Sequence, residues 1–421
     1  MEPDRATVLD GPLGMIHRPL SVLIVASHPV QYASPIFRLL AEDSRVGIQV
    51  AYCSMQGVKA HLDPDFGVEV KWDIPLLDGY PWIALQNHSP FQQGGSFLSL
   101  MNPGVWRLIR SLKFDAIVLH TGYRSATFWI AILAAKLARV AVLFSTDAHS
   151  LSPRDQRKWK CWVKKLIWPR LFRLVDLVIV PSSAGVSLMT SLGIPDNRVV
   201  LTPYCVNNEW WTDQLKKVDR SEVRARWEVP QDAVVLIFSA KLQPWKRPLD
   251  LVRAFAKIAE FNVYLIFAGE GSLRSALESE VETLGIAKKV RFLGFVNQSG
   301  LPEVYAASDI LVLPSDYEPF GVVVNEAMVC GCCVVVSDRV GARFDLVREG
   351  ETGFTFRAGD VDALAAVLHG ILLTPDRLTK MGEAARERMK SWAPEQNVER
   401  NVEAFNKAIG LARSRYDKEQ M

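Results

Sequence analysis

Short, largely apolar runs recur along the chain, separated by stretches with helical spacing. In the first half they are Ser21 to Ala26, Gly47 to Tyr52, Asp115 to His120, Val140 to Ser145 and Asp176 to Pro181. In the second half they are Val234 to Ser239, Val263 to Ala268, Ile310 to Leu313 and Val334 to Val336. Runs this short and this apolar predict strands buried on both faces, as in parallel sheets. Helical patterns such as Leu249 to Glu260 supply the crossovers. The arrangement predicts two α/β domains, at residues 20–205 and 231–394. Between them Pro203 to Val229 has few periodic apolar residues, and charges run from Lys216 to Glu228, so a linker is expected at 206–230. A last helical stretch, Glu395 to Leu411, follows a second core that already looks complete. Residues 1–19 hold Asp4, Asp10 and Pro/Gly breaks, which predict a loose extension. Ligands of open α/β sheets sit beyond the carboxyl ends of the strands, so two such domains face each other across a cleft.

The segment Glu318-Pro319-Phe320-Gly321-Val322-Val323-Val324-Asn325-Glu326-Ala327-Met328 carries the most chemistry. Glu318 falls in the loop at the end of the strand Ile310 to Leu313. Glu326 falls in the second turn of the following helix, roughly 8 Å further along its axis. Between them lie free N–H groups at a helix start, a seat for a phosphate or an oxygen-rich ligand. Upstream, Lys241 and Lys246 occupy a strand-to-helix loop. Two cations there suit a diphosphate, which gathers charge as its bond to a sugar breaks. Gly269-Glu270-Gly271-Ser272 is a tight turn opening another helix, without the pattern of a P-loop. Taken singly, each of these features also fits an ordinary capped helix or a solvated loop.

Taken together and in order, they resemble the C-terminal half of the retaining glycosyltransferases of family 4, which have the GT-B fold. The likeness covers about residues 234–392. It runs through Lys241 and Lys246, AGEGSL at 268–273, FLGFV at 292–296, LPEVY at 301–305 with Ser308-Asp309, EPFGVVVNEAM at 318–328 and GETGF at 350–354. The resemblance implies two Rossmann-like domains with parallel sheets and a nucleotide-sugar donor in the cleft. Glu318 would lie near the sugar hydroxyls, Glu326 on the ribose, and Lys241 and Lys246 on the diphosphate. Backbone around Gly294, Phe295 and Val296 would hold the base, and Gly269, Pro319, Phe320, Gly321 and Val322 would complete the donor site. His120, at a strand end, stands where the family has a cleft histidine that bonds the transferred sugar or steers the acceptor. His28, Gln31, Tyr123 and His149 are further candidates on the acceptor side. The chain departs from the family at His28-Pro29-Val30-Gln31-Tyr32, where a glycine-rich loop is usual. It departs again at Gly341-Ala342 and Asp345, and no role is carried over to Asp345.

Composition narrows the picture. A chain of 421 residues, 49% hydrophobic, amounts to two or three domains. A net charge of +3 is too small for a nucleic-acid binder. Six cysteines suggest reduced thiols, and Cys330, Cys332 and Cys333 read as small buried side chains rather than metal ligands. Asp63-Pro64-Asp65 is a D-x-D triplet of the kind that holds metal in another glycosyltransferase fold, but it lies far in sequence from the donor motifs. No metal and no cofactor are therefore expected. No targeting segment is apparent, and the apolar window Trp129 to Phe144 is broken by Lys136 and Arg139, so a cytoplasmic chain is expected.

One feature points to the acceptor. Residues 154–173 carry eight basic side chains against Asp155, a net charge of +7, interleaved with Trp159, Trp162, Trp168 and Phe172. Such a helix either lies on an anionic membrane, which would fit a lipid-linked acceptor, or packs its aromatics on the domain. Alternatives for the whole chain are another GT-B enzyme, a sugar phosphorylase or epimerase, and a non-enzymatic two-domain sugar binder. No sequence context for a pyridoxal-binding lysine is visible, and paired lysines are odd for a neutral sugar.

Overall fold

The computed structural model describes residues 18–63, 65–91, 97–153 and 157–418. Most of the expected N-terminal extension, residues 1–17, lies outside these residues, as do Pro64 of the D-x-D triplet and Arg154 and Asp155 of the basic segment. The first sheet is built from β1 (Leu20–Ala26), β2 (Val46–Tyr52), β5 (Trp82–Ala84), β6 (Ala116–His120), β7 (Ala141–Ser145), β8 (Leu177–Val180) and β9 (Val199–Leu201). Its seven strands run in the order β5-β2-β1-β6-β7-β8-β9, all parallel. A separate antiparallel hairpin, β3 (His61–Asp63) and β4 (Val68–Val70), interrupts the path from β2 to β5. The second sheet has six parallel strands in the order β12-β11-β10-β13-β14-β15. They are β10 (Val234–Ser239), β11 (Val263–Ala268), β12 (Val290–Gly294), β13 (Ile310–Leu313), β14 (Cys333–Ser337) and β15 (Gly353–Phe356).

The apolar runs became these strands because helices cover both faces of each sheet, so most residues of the inner strands meet a core. Val22 to Val25, Leu236 to Phe238 and Ile310 to Leu313 are almost wholly excluded from solvent. Cys330, Cys332 and Cys333 are buried free thiols, and burial pushes each of them above the ordinary thiol range.

The segment expected as a linker is folded. Residues 206–230 hold two helices, Asn208–Leu215 and Arg220–Arg226, anchored to the second domain. Trp211 is buried against Tyr305, with ring centroids 5.8 Å apart. Arg224, 1% exposed, donates to the carbonyls of Ala307, Gln231 and Ala233 and pairs with Asp309 at 2.8 Å. A charged stretch looks like linker until its guanidinium finds buried acceptors. The chain crosses between domains at a narrower place. The Tyr204 carbonyl accepts from Trp392 Nε1 at 2.7 Å and Asn325 Nδ2 at 2.9 Å, while Asn397 Nδ2 donates to the Pro203 carbonyl at 2.7 Å. The last helix, Pro394–Lys418, returns to the first domain. There Ala404, Phe405, Ala408 and Ala412 are buried, Arg45 pairs with Glu399 at 2.6 Å, and Arg415 pairs with Asp176.

Candidate active site

The carboxyl ends of the two sheets enclose a cavity of about 610 Å³. Both domains supply polar side chains to its lining, and the second supplies both lysines. Gly321, at φ +96°, turns the chain from the loop after β13 into the helix Val322–Val329. A Cβ there would also sit 3.1 Å from Glu318 Cγ, so glycine is required twice over. The helix has no side-chain cap, and Val322 and Val323 of its first turn face the cavity. Gly269 lets the ends of β10 and β11 touch: a Cβ would meet the Ala240 carbonyl oxygen at 2.0 Å. Its N–H bonds to the Gly294 carbonyl at 2.8 Å, which brings Phe295 and Val296 to the cavity wall.

Four charged side chains of the second domain project into this space, and each has a partner. Lys246 pairs with Glu318. Lys241 Nζ lies 2.9 Å from both carboxylate oxygens of Asp63, which comes from the other domain. Glu326, 5% exposed, accepts from Tyr305 Oη at 3.1 Å and approaches Gln298 Nε2 at 3.4 Å. Burial pushes the Glu326 carboxyl up to about 7, against the pull of Gln298 and Tyr305. Gln298 Oε1, also buried, makes no hydrogen bond among the described residues.

The first domain contributes His28, Gln31 and Tyr32 from the loop after β1, and Gln56, His61, Asp63, Phe66 and Trp72 from the hairpin region. His28 is held below the ordinary histidine range by burial first and by His61 second. Burial raises Tyr32 to about 12.

Of the residues singled out in the sequence, His28, Gln31, Lys241, Lys246, Gly269, Phe295, Val296, Glu318, Gly321, Val322 and Glu326 line this cavity together. Others do not. His120 lines a second, smaller cavity of about 170 Å³ beneath β1 and β6, with His28 and Tyr32 on the wall between the two. Burial lowers its pKa to about 4, so it is neutral near pH 7. Tyr123 lines neither space; its hydroxyl accepts from Trp168 Nε1 at 3.1 Å. Phe320 is 2% exposed and packs edge-on against Tyr204 at the domain crossing, 5.3 Å between centroids. Pro319 and His149 meet at the domain interface. Burial pushes the His149 imidazole down, while the Pro319 carbonyl and Glu318 push it up. Asp345 caps the other domain, accepting from the Ser183 N–H at 3.0 Å.

Sequence reasoning missed several members of the site. Asp63 was placed far from the donor motifs, yet it touches Lys241. Phe66, Trp72 and Gln298 carry no local signal, because each becomes part of the site through contacts that only the closed fold creates. Among the described residues no group of His, Cys, Asp and Glu is arranged to hold a metal ion.

Comparisons with known proteins agree with this geometry. The family described as Glycosyl transferases group 1 matches residues 219–388, and the Glycosyl transferase 4-like domain matches residues 22–205. The chain is similar to a D-inositol 3-phosphate glycosyltransferase of Streptomyces scabiei, 33% identical over 47% of this chain and 47% of that protein. It is also similar to a sulfoquinovosyl transferase of Arabidopsis thaliana, 27% identical over 72% of this chain and 58% of that protein. The chain spans about half the length of the curated relatives it matches at 30% identity or more. Among solved structures, HepE of Anabaena in complex with UDP and glucose superposes with a TM-score of 0.68 at 20% identity, covering 91% of this chain and 98% of that one. A glycosyltransferase of Rickettsia africae superposes with a TM-score of 0.72 at 18% identity, covering 93% and 99%. With both halves matched and the two facing parallel sheets in place, the chain belongs to the family-4 type of glycosyltransferases with the GT-B fold.

Proposed function

We propose that the chain moves a sugar from a nucleoside-diphosphate donor to a hydroxyl acceptor with retention of anomeric configuration. The observation that carries this reading is the convergence of Lys241, Lys246, Glu318 and Glu326 on one cavity of about 610 Å³. That volume falls within the range of roughly 300–1,000 Å³ usual for small-molecule sites. Glu326 and the free Gln298 Oε1 suit the two ribose hydroxyls, which donate hydrogen bonds. Phe295 and Val296 border the base. Lys246 lies within reach of the leaving diphosphate, and its partner Glu318 reaches the sugar hydroxyls.

In the proposed reaction the bond from the anomeric carbon to the diphosphate oxygen breaks, and the acceptor oxygen bonds to the same face of that carbon. The acceptor proton passes to the departing diphosphate. The protein's share is positioning and stabilisation of the charge that collects on the phosphates. The lysines supply the opposing positive charge, so activity is expected to survive EDTA. Calorimetric titration with a panel of nucleoside diphosphates tests the reading: one member should bind at a single site, and failure of every member would contradict it.

The acceptor proposal rests on the helix Lys158–Leu174. Trp168, Leu171 and Phe172 pack inward, but Trp159 and Trp162 are 60% and 68% exposed. Leu166, Ile167 and Leu174 join Trp129, Leu133 and Leu137 of the helix Ala126–Ala138 in one exposed apolar face. Lys158, Lys165, Arg170 and Arg173 accompany it, and residues 157–174 contain no acid. Apolar area beside positive charge is complementary to an anionic bilayer. No helix of the described residues is long and apolar enough to cross one. We therefore propose peripheral docking and a lipid or lipid-linked acceptor, in polysaccharide or glycolipid assembly.

A further inference from the structure

Lys241, assigned above to the donor diphosphate, already holds an anion. Asp63 reaches it from the other domain with both oxygens at 2.9 Å, and Asp65 adds a third oxygen at 3.5 Å. A whole element backs the contact. The β3–β4 hairpin and the chain after it run along the second domain. Gln243 Nε2 donates to the Asp65 carbonyl, Asn297 Nδ2 to the Lys71 carbonyl at 2.7 Å, and the Ser299 N–H to Asp73 at 3.1 Å. Phe66 and Trp72 meet the Phe295 ring at centroid distances of 5.0 and 6.3 Å, and Lys241 Nζ lies 4.6 Å from the centre of the Phe66 ring. Gly57, at φ +89°, makes room for the indole: a Cβ there would stand 2.8 Å from Trp72 Cδ1. Asp63 is held below the usual carboxylate range: burial raises it, but Lys241 and the backbone N–H groups of Phe66 and Asp65 outweigh burial. An ionised carboxylate thus stands against the cation that a diphosphate would use.

We propose that Asp63 is a resident anion of the donor site, displaced from Lys241 when a nucleoside diphosphate binds, and that Phe66 and Trp72 extend the nucleoside wall that Phe295 begins. The inference rests on the donor reading of the cleft. A diphosphate carries more charge than one carboxylate and takes the lysine over. A nucleoside or free sugar carries no charge to do so and leaves the pair intact, so the cost of breaking it falls on the diphosphate alone. Asp63 is a positioning residue in this scheme: it acts on the ligand through Lys241, and the hairpin reports donor occupancy from one domain to the other.

Calorimetry on the full chain tests this, using whichever nucleoside diphosphate binds the parent together with its nucleoside. Asp63→Asn should tighten diphosphate binding about three- to thirtyfold and leave the nucleoside within about twofold, because only the diphosphate has to break the charged pair. Asp63→Ala should show the same gain, and the gain should vanish in a Lys241→Ala background, as expected of two groups acting through one contact. A merely structural hairpin would not yield tighter binding on losing a contact. Phe66→Ala should weaken the nucleoside and the diphosphate together. Unchanged or weaker diphosphate binding by both Asp63 variants, with normal binding by the parent, overturns the resident anion. Unchanged nucleoside binding by Phe66→Ala overturns the wall. A parent that binds no nucleoside diphosphate overturns the donor reading, and this inference with it.

Discussion

Glu326 is buried, carries a carboxyl raised to about 7, and has two hydrogen-bond donors beside it. A ribose would supply two more. Glu326→Ala should therefore weaken nucleotide binding by about 1.5–3 kcal/mol, the range for hydrogen bonds to a charged group, which calorimetry reads directly. The raised value also sets a pH dependence. An acid whose folded value lies above its ordinary 4.5 binds more protons folded than unfolded between 4.5 and about 7. It therefore costs stability as pH climbs through that window. Glu326→Gln should raise the melting temperature of the ligand-free chain at pH 8 more than at pH 5, with a gain on the order of 1–3 kcal/mol at pH 8. Equal gains at both pH values would contradict the buried-acid account. Nucleotide affinity should rise from pH 6 to pH 8 in the parent and rise less in Glu326→Gln, since only the ionised carboxylate accepts from both hydroxyls. Lys246 matters in another way. Its charge counts most as the leaving group departs, so Lys246→Ala should lower the maximal rate by roughly ten- to a thousandfold, as for loss of other transition-state donors. A change confined to the acceptor Michaelis constant would remove that role.

At the scale of elements, the helix Lys158–Leu174 decides the acceptor proposal. The amphipathic pattern leaves two readings open: the helix packs through Trp168 and Phe172, while Trp159 and Trp162 stay exposed and keep the membrane reading to be tested. Near an anionic surface each basic residue adds about 1 kcal/mol, within a screening length of roughly 10 Å at 0.1 M salt and 3 Å at 1 M. Flotation should recover the chain with anionic vesicles at low salt, release it at high salt, and lose it when Lys158, Lys164, Lys165 and Arg170 are changed to Glu. No flotation with anionic vesicles at low salt would point to a water-soluble acceptor. The inner strands of both sheets were legible in the sequence, because a doubly covered strand must be apolar throughout; the edge strands β5, β9, β12 and β15 were not. The donor half of the site was legible for a related reason: Lys241, Gly269, Glu318 and Glu326 sit at or just past the strand ends. The linker was not legible. Its charges resemble a solvated stretch, and only the second domain's carbonyls show that Arg224 is a buried anchor.

At the scale of the whole molecule, the cleft belongs to both domains, and this is where the sequence was least readable. Lys241 and Asp63 are 178 residues apart in the chain, and Asn297 and Lys71 are 226 apart. No local pattern announces such pairs, so a triplet considered only as a metal site turned out to face a lysine. His120 shows the converse. A strand end places its Cα correctly, but the packing of Tyr32 and His28 decides which cavity its ring faces. The chain crosses between the domains around Pro203 to Val206, tied to Trp392 and Asn397, so the contacts closing the cleft are separate from those joining the halves. The measurement that tests the account most directly is nucleoside diphosphate release from a panel of nucleotide sugars without acceptor, by the parent and by Lys246→Ala. A slow, donor-selective release by the parent that falls at least about tenfold in the variant is the predicted result. No release from any donor, or equal release by both proteins, would contradict the assignment of this cleft to glycosyl transfer.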